Sequence, residues 1–389
     1  MSPLQQLTDQ RGMILFSSLL ILSFLMALGI GSVVSVQSEY RITGNLKSGT
    51  SALYIAEAGV EWGKQQIGLS NENPPVLADA RRNFSTGEFS IGSVSSKRTS
   101  PLVGEVVYRS DGKLGAATQI VQVQVRKSYD LADAPLVLRG NSRSVQFPAT
   151  SFTISGLDYD PVDGTPIAGA RQRRAVSVDR PLLLTQTRDA LTGAQNSLLT
   201  GTDNRGASIS ISDRISADAI LRVTSAACAA SQAQTSAVPA DGRLSVVDRA
   251  WGSRANPEIH CVQGSAQPGD QVIAGNVTGA GILVIRDAAL VLSGTFRWEG
   301  LVIVAGSDVG LRVSGEENKD VYGALMITET GQALGVGDPM VNVEGALRIR
   351  FSRSALASAA RLIPAETLDN LYSALPFYIA QDYWRILTP

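Results

Sequence analysis

Residues 12–36, GMILFSSLLILSFLMALGIGSVVSV, contain no charged side chain and lie almost at the N-terminus. As a helix rising ~1.5 Å per residue, these 25 residues reach across a bilayer's hydrocarbon core of ~30 Å with some tilt. Nothing comparable recurs in the rest of the 389-residue chain. The segment is therefore either a membrane anchor or a helix packed inside a larger apolar assembly. Residues 1–12 are short and polar, with Asp9 and Arg11 their only charged side chains. The composition breaks before the apolar run, at Gly12–Met13, and not after it as a secretory signal peptide requires. A peptidase acting at that break leaves the apolar helix on the mature protein.

Helical patterning returns after the apolar run. Across residues 51–67, Leu53, Ala56, Val60 and Ile67 share one stripe, and Glu57, Glu61 and Lys64 lie opposite. The spacing predicts one long helix over residues 13–67, with 13–36 transmembrane and a soft point near Gly44. Two separate helices, an anchor and a surface helix, are the other arrangement it allows. SNENPP (residues 70–75) ends the helix. Alternation at residues 88–94, 104–109 and 119–127 predicts strands, with Val121, Val123 and Val125 on one face of the last. Residues 68–133 then form an antiparallel sheet against the amphipathic half-helix.

The middle of the chain, 134–270, reads as a mixed insertion. It holds a strand at SFTISG (151–156), helices within 181–221, and an exposed loop bounded by the cysteines. Asp158, Asp160 and Asp163 ahead of Gly164 are spaced loosely like a calcium loop, whose cation takes several oxygens from one tight turn. No Glu closes the pattern twelve residues on, and Asp/Pro/Gly turn chemistry accounts for the same residues. Cys228 and Cys261 close a loop of about 34 residues if the body is exported, worth ~3–4 kcal/mol in the chain-entropy model; otherwise they are two thiols. His260 beside Cys261 is one His next to one Cys, which is not a metal site, and it reads as a structural or surface histidine.

Over residues 271–352 a glycine-led apolar motif recurs: GILVI from Gly281, GLVIV from Gly300, GALMI from Gly323 and GALRI from Gly345. A second motif interleaves with it, as LVLSG from Leu290 and LRVSG from Leu311. A period near 20 with two alternating strand types predicts stacked coils of a parallel β-solenoid or β-roll, turning at Gly, with Trp298 in its core. An antiparallel sandwich is the other option. Residues 353–389 read as short helices capping the open solenoid edge, with the aromatic run FYIAQDYW packed into that cap. The fold class is α+β: a long helix on an antiparallel sheet, then a β-rich body ending in a solenoid.

The stretch QRGMILFSSLLILSFLMALGIG, then EYRITGNLKSGTSALYIAEAGVEWG, resembles the N-terminal region of PilX-type minor pilins of type IV pili. A short leader ending in Gly, an apolar helix, the Gly44–Asn45 step and Ala56–Glu57–Ala58 carry the resemblance, which spans residues 10–67. GILVIRDAALVLSGTFRWEGLVIVAG is similar to the C-terminal half of large PilX-type proteins. The resemblance implies prepilin-peptidase cleavage between Gly12 and Met13, and methylation of the new amine. It further implies partnership with major and minor pilins, the inner-membrane assembly platform and a tip adhesin. The body would sit in the periplasm before assembly and on the pilus afterwards. On the exposed continuation of the assembly helix, Glu39 is the first charge. Major pilins carry Glu at the fifth mature position; this chain has Ser17 there. In pilins that Glu is held to neutralise a neighbour's amine inside the apolar bundle, where a buried charge needs a partner. Its absence fits a subunit that begins or tips an assembly.

Net charge is −1 with Lys and Arg scattered, which argues against a nucleic-acid partner. The densest basic spot, Arg171, Arg173 and Arg174, reads as a solvated loop. The chain lacks a P-loop, a dinucleotide fingerprint, HExxH and GxSxG, and implies no cofactor besides the calcium option. It reads as a structural subunit and not an enzyme. The rivals are an unprocessed membrane-anchored adhesin or scaffold and, further off, a solenoid enzyme acting on polysaccharide.

Overall fold

A computed structural model describes residues 3–84, 87–140, 144–203, 205–265, 269–331 and 339–387, with side chains from Met13 onward. Helix α1 (Pro3–Leu69) is one unbroken element of 67 residues, about 100 Å long at ~1.5 Å per residue. It starts before Gly12, so the helix takes in most of the expected leader. Gly44 does not interrupt it: a mid-helix Gly costs about 1 kcal/mol, and the packing of the following turns outweighs that. Residues 13–47 are exposed throughout. Beyond them Ala52, Ala56, Gly59, Val60, Gly63 and Ile67 form a buried stripe at helical spacing, with Leu53 half-buried beside it. The two glycines set the depth of contact. A Cβ on Gly59 would sit 2.1 Å from Ser110 Oγ, and one on Gly63 2.6 Å from the Tyr108 ring.

The stripe lies on an antiparallel sheet of β1 (Ala80–Phe84), β2 (Gly87–Ser100), β3 (Val103–Leu114) and β4 (Ala117–Tyr129). The Val121, Val123 and Val125 face of β4 is fully buried under α1. The chain then leaves the sheet after Tyr129 and returns to it only at Phe377.

It enters a parallel solenoid through β5 (Leu136–Arg139), β6 (Val145–Gln146), β7 (Phe152–Ser155) and β8 (Val176–Val178). After α2 (Pro181–Asp189) and α3 (Gly193–Asn196) come β9 (Leu199–Thr200) and β10 (Ile209–Ile211). Helix α4 (Ala217–Ala229), N-capped by Ser216, runs back along the stack. A second run follows: β11 (Gln234–Ala237), β12 (Arg243–Trp251), β13 (Glu258–Gln263), β14 (Gln271–Arg286), β15 (Ala289–Leu292) and β16 (Phe296–Gly306). It ends with β17 (Gly310–Val313), β18 (Lys319–Glu329), β19 (Val341–Val343) and β20 (Leu347–Arg350). Helices α5 (Arg353–Ala360) and α6 (Ala365–Asp369) lead to β21 (Phe377–Leu387), which pairs antiparallel with β4 and completes the five-stranded sheet. The solenoid is thus inserted between two neighbouring strands of the N-terminal sheet.

One ladder fixes the order of the coils. Gln234, His260, Leu283, Val302, Leu325, Leu136, Val176 and Ile209 stack side by side in eight parallel strands. The second run therefore climbs the axis and docks its last coil, β18–β20, under the first coil, β5–β7. The first run continues in the same direction. This permuted order solves a geometric problem. Eight coils at about 4.8 Å span about 34 Å, yet an insertion between paired strands must begin and end close together. Here its first and last coils are neighbours.

The inward faces form one core, including Leu283, Val302, Leu290, Leu311, Phe296 and Trp298, with Trp298 Nε1 donating to Gly281 O at 3.3 Å. The outward face of the eight-strand ladder, including Ile282, Val284, Ile303 and Met326, is covered by α4, α5 and α6. That explains the continuous apolar runs at GILVI and GALMI, since strands buried on both sides do not alternate. At one corner Gly281, Gly300 and Gly323 stack with φ of +119°, +135° and +136°. A Cβ on Gly323 would lie 1.9 Å from Gly300 O.

Several expectations change. Residues 134–270 are not a separate mixed insertion; their strands are coils of the same solenoid, which spans 136–350. The cysteine-bounded stretch is not a loop but the end of α4 followed by β11–β13. GALRI does not stack on GALMI: Leu325 pairs with Leu136, and Ile349 pairs instead with Val321 on another side of the coil. The helices after residue 352 cover the flank of the ladder, not its open edge, and FYIAQDYW is a strand of the N-terminal sheet.

Candidate functional site

The bare half of α1 is the feature that needs a partner. Among the described residues it is the one helix long and apolar enough to cross a membrane. Met13, Leu15, Phe16, Leu22 and Met26 all stand free of the protein. Leaving such side chains in water forgoes about 1.5–3 kcal/mol apiece, so lipid or other helices must take them. The polar atoms along this half are prepared for that. Ser17 Oγ donates to Met13 O at 2.8 Å, Ser23 to Leu19 O at 2.8 Å, and Ser32 to Leu28 O at 2.9 Å. Ser18 Oγ does the same to Leu15 O at 2.8 Å. Hydroxyls satisfied by their own helix can enter an apolar phase without orphaned donors. Gly12 and Met13 lie within this helix, and Glu39 is exposed on it past the apolar run.

The other half of α1 is clamped. Tyr108 on β3 donates its hydroxyl to Val60 O at 2.7 Å. Lys127, buried on β4, brings its ammonium to the end of the helix. It donates to Ile67 O at 2.9 Å, to Gly68 O at 3.0 Å, and to Ser70 O. A cation here satisfies C-terminal carbonyls and opposes the helix dipole. The Phe377 ring of β21 lies 4.1 Å from the same nitrogen. Burial, and secondly Arg214, pulls the Lys127 ammonium down to about 8. Burial pushes the Tyr108 and Tyr129 phenols well up.

The junction between sheet and solenoid is tied by charge. Asp130, just after β4, pairs with Arg173 and, at 3.1 Å, with Arg353 at the start of α5. Arg173 is therefore a buried structural partner and not part of a solvated loop. Arg174 bonds Ser210 and Ile211 O.

The three aspartates do not form a cation site. Asp158 is buried, accepts from Arg353 N at 2.9 Å and pairs with its guanidinium at 3.4 Å. Asp160 and Asp163 accept from Val162 N and Thr165 N, 2.8 and 2.9 Å away, as turn formers. Among the described residues no three Asp, Glu, His or Cys side chains converge as metal ligands. Cys228 of α4 and Cys261 of β13 are joined in a disulfide, which pins the return helix to the second run. His260 stacks on Trp251 at 4.6 Å and reaches Glu258 at 2.9 Å.

The sequence located the apolar half through its lack of charge. It did not single out Lys127, although the alternation places that residue on the same face as Val121, Val123 and Val125. No protein-family model and no curated protein matches the chain. Among solved structures, the crystal structure of the competence-associated pilin ComZ from Thermus thermophilus is similar at 10% identity and a TM-score of 0.23. The match covers 87% of this chain and 97% of that one. At those values the likeness carries no functional weight.

Proposed function

We propose that the chain is a non-catalytic minor subunit of a type IV pilus. One observation carries the reading: a single helix whose first half is bare, apolar and hydrogen-bonded within itself, and whose second half is locked to a five-stranded sheet. The motifs shared with PilX-type pilins, from Gly12 to the Ala56–Glu57–Ala58 element, support it. In this reading prepilin peptidase cuts between Gly12 and Met13, and the inner membrane holds α1 until assembly. The helix then moves from lipid into a bundle of like helices, held by packing and not by a hydrophobic gain. The body is periplasmic first and later displayed on the pilus, beside major and minor pilins. Ser17, uncharged at the fifth mature position, favours a place at the start or tip of the fibre.

Deletion of the gene should reduce surface pili, and the intact chain should restore them. A chain with Gly12 replaced by a bulky residue, which blocks cleavage, should not. Normal pilus number in the deletion strain would overturn the reading in favour of an unprocessed anchored protein.

A further inference from the structure

Between the β8–β10 end of the solenoid and the beginning of β21 lies an open cavity of about 650 Å³. Six arginines line it, Arg171, Arg173, Arg174, Arg188, Arg205 and Arg214, against two aspartates, Asp133 and Asp203. They come from the loop before β8, from α2, from the turn before β10 and from the segment after β10. The two aspartates offset only part of that charge. Asp203 accepts from Ser210 Oγ at 2.7 Å and from the backbone of Arg205 and Ala207 at 2.9 and 3.0 Å. Asp133 accepts from Ser177 and faces the buried Arg139 at 3.7 Å.

The guanidiniums are positioned but not consumed. Arg174 is held by Ser210 and Ile211 O at 2.7 and 2.9 Å, Arg188 by Ile209 O at 3.2 Å. Arg214 lies over the Phe377 ring at 5.7 Å. Arg173 is neutralised by Asp130, yet its Nε is a buried donor without a partner. Among the described residues, the guanidiniums of Arg171 and Arg205 have none. Concentrated like charge in a walled cavity focuses a positive potential that an anion relieves.

We propose that this cavity binds a small oligophosphate. The planar forks of arginine match phosphoryl oxygens two at a time, where lysine would supply only a point charge. Several charges on a compact body suit this cavity, whereas one carboxylate leaves most of the arginines uncompensated. The ligand's oxygens take the open N–H groups of Arg171 and Arg205. This site is independent of how α1 assembles.

The test uses the full chain in detergent micelles, titrated calorimetrically with inorganic tripolyphosphate at near-physiological salt. Saturable one-to-one binding is expected, with a rise in Tm on saturation. Replacing Arg171 and Arg205 together by Ala, both exposed, should weaken binding at least about tenfold. Replacing the exposed Arg81 and Arg82 of β1 should leave it unchanged. Absence of saturable binding would overturn the proposal. So would equal losses in the two double variants, or tighter binding of a polyglutamate peptide than of tripolyphosphate.

Discussion

Lys127 is a single side chain on which two parts of the fold depend. Its replacement by Met keeps the stem and removes the donor from three carbonyls at the end of α1. A loss of about 1–3 kcal/mol is expected, measured by denaturant unfolding. Its titration adds a signature. Because the folded value of about 8 lies below the ordinary 10.5, the unfolded chain binds more protons across that interval, so this contribution to stability rises with pH there. Lys319, also lowered by burial, acts in the same direction. Tyr108 and Tyr129 are raised, so above about pH 10 the unfolded chain loses their protons first and stability falls. Melts between about pH 7 and about pH 11 should therefore peak near about pH 10. Lys127→Met should flatten the rising limb and spare the falling one. The corner glycines are a second test at this scale. Gly115 in the β3–β4 turn has φ +59° and open space around it, so Gly115→Ala should cost about 1 kcal/mol. At Gly300 a Cβ would lie 2.1 Å from Gly281 O, backbone that cannot move aside without unstacking a coil. Gly300→Ala should cost well above about 2 kcal/mol by the same measurement.

Among the elements, α4 carries the permuted order, because it alone returns the chain from β10 to β11. The Cys228–Cys261 bond ties its end to the second run. Replacing both cysteines by Ser should lower stability by about 3–4 kcal/mol, with α4 amides losing hydrogen-exchange protection before those of β14 and β16. How legible each element was depended on where its partner lies in the chain. β14, β16 and β18 were readable because each finds a ladder neighbour in an adjacent repeat and both of its faces are buried. β5 and β8 were not: they are short, and Leu136 pairs with Leu325, a partner no local period reveals. The same holds for β21, whose aromatic residues imitate a cap while its partner β4 lies on the far side of the whole solenoid in sequence. α1 was legible in both halves, but not the role of Gly59 and Gly63, because a close approach is a property of the opposing strand. The carboxylates at 158, 160 and 163 misled because turn chemistry and calcium loops draw on the same residues.

For the molecule as a whole, the sheet carrying α1 and the solenoid share one chain, and the paired strands β4 and β21 and the charges around Asp130 join them. Helix α1 is thus held by a small sheet, and the large body is joined to that sheet at the end of β4 and the start of β21. In the pilin account, Ser17→Glu supplies the carboxylate that shaft subunits use, and should raise the number of copies per pilus, counted by quantitative immunoblotting of sheared fibres. The central claim, that residues 12–36 are a temporary anchor that becomes a packing element, is tested most directly on those fibres by mass spectrometry of the mature chain. The account predicts a polypeptide beginning at an N-methylated Met13 and present in the pilus fraction. A chain that keeps Met1 and stays wholly in the membrane would contradict it.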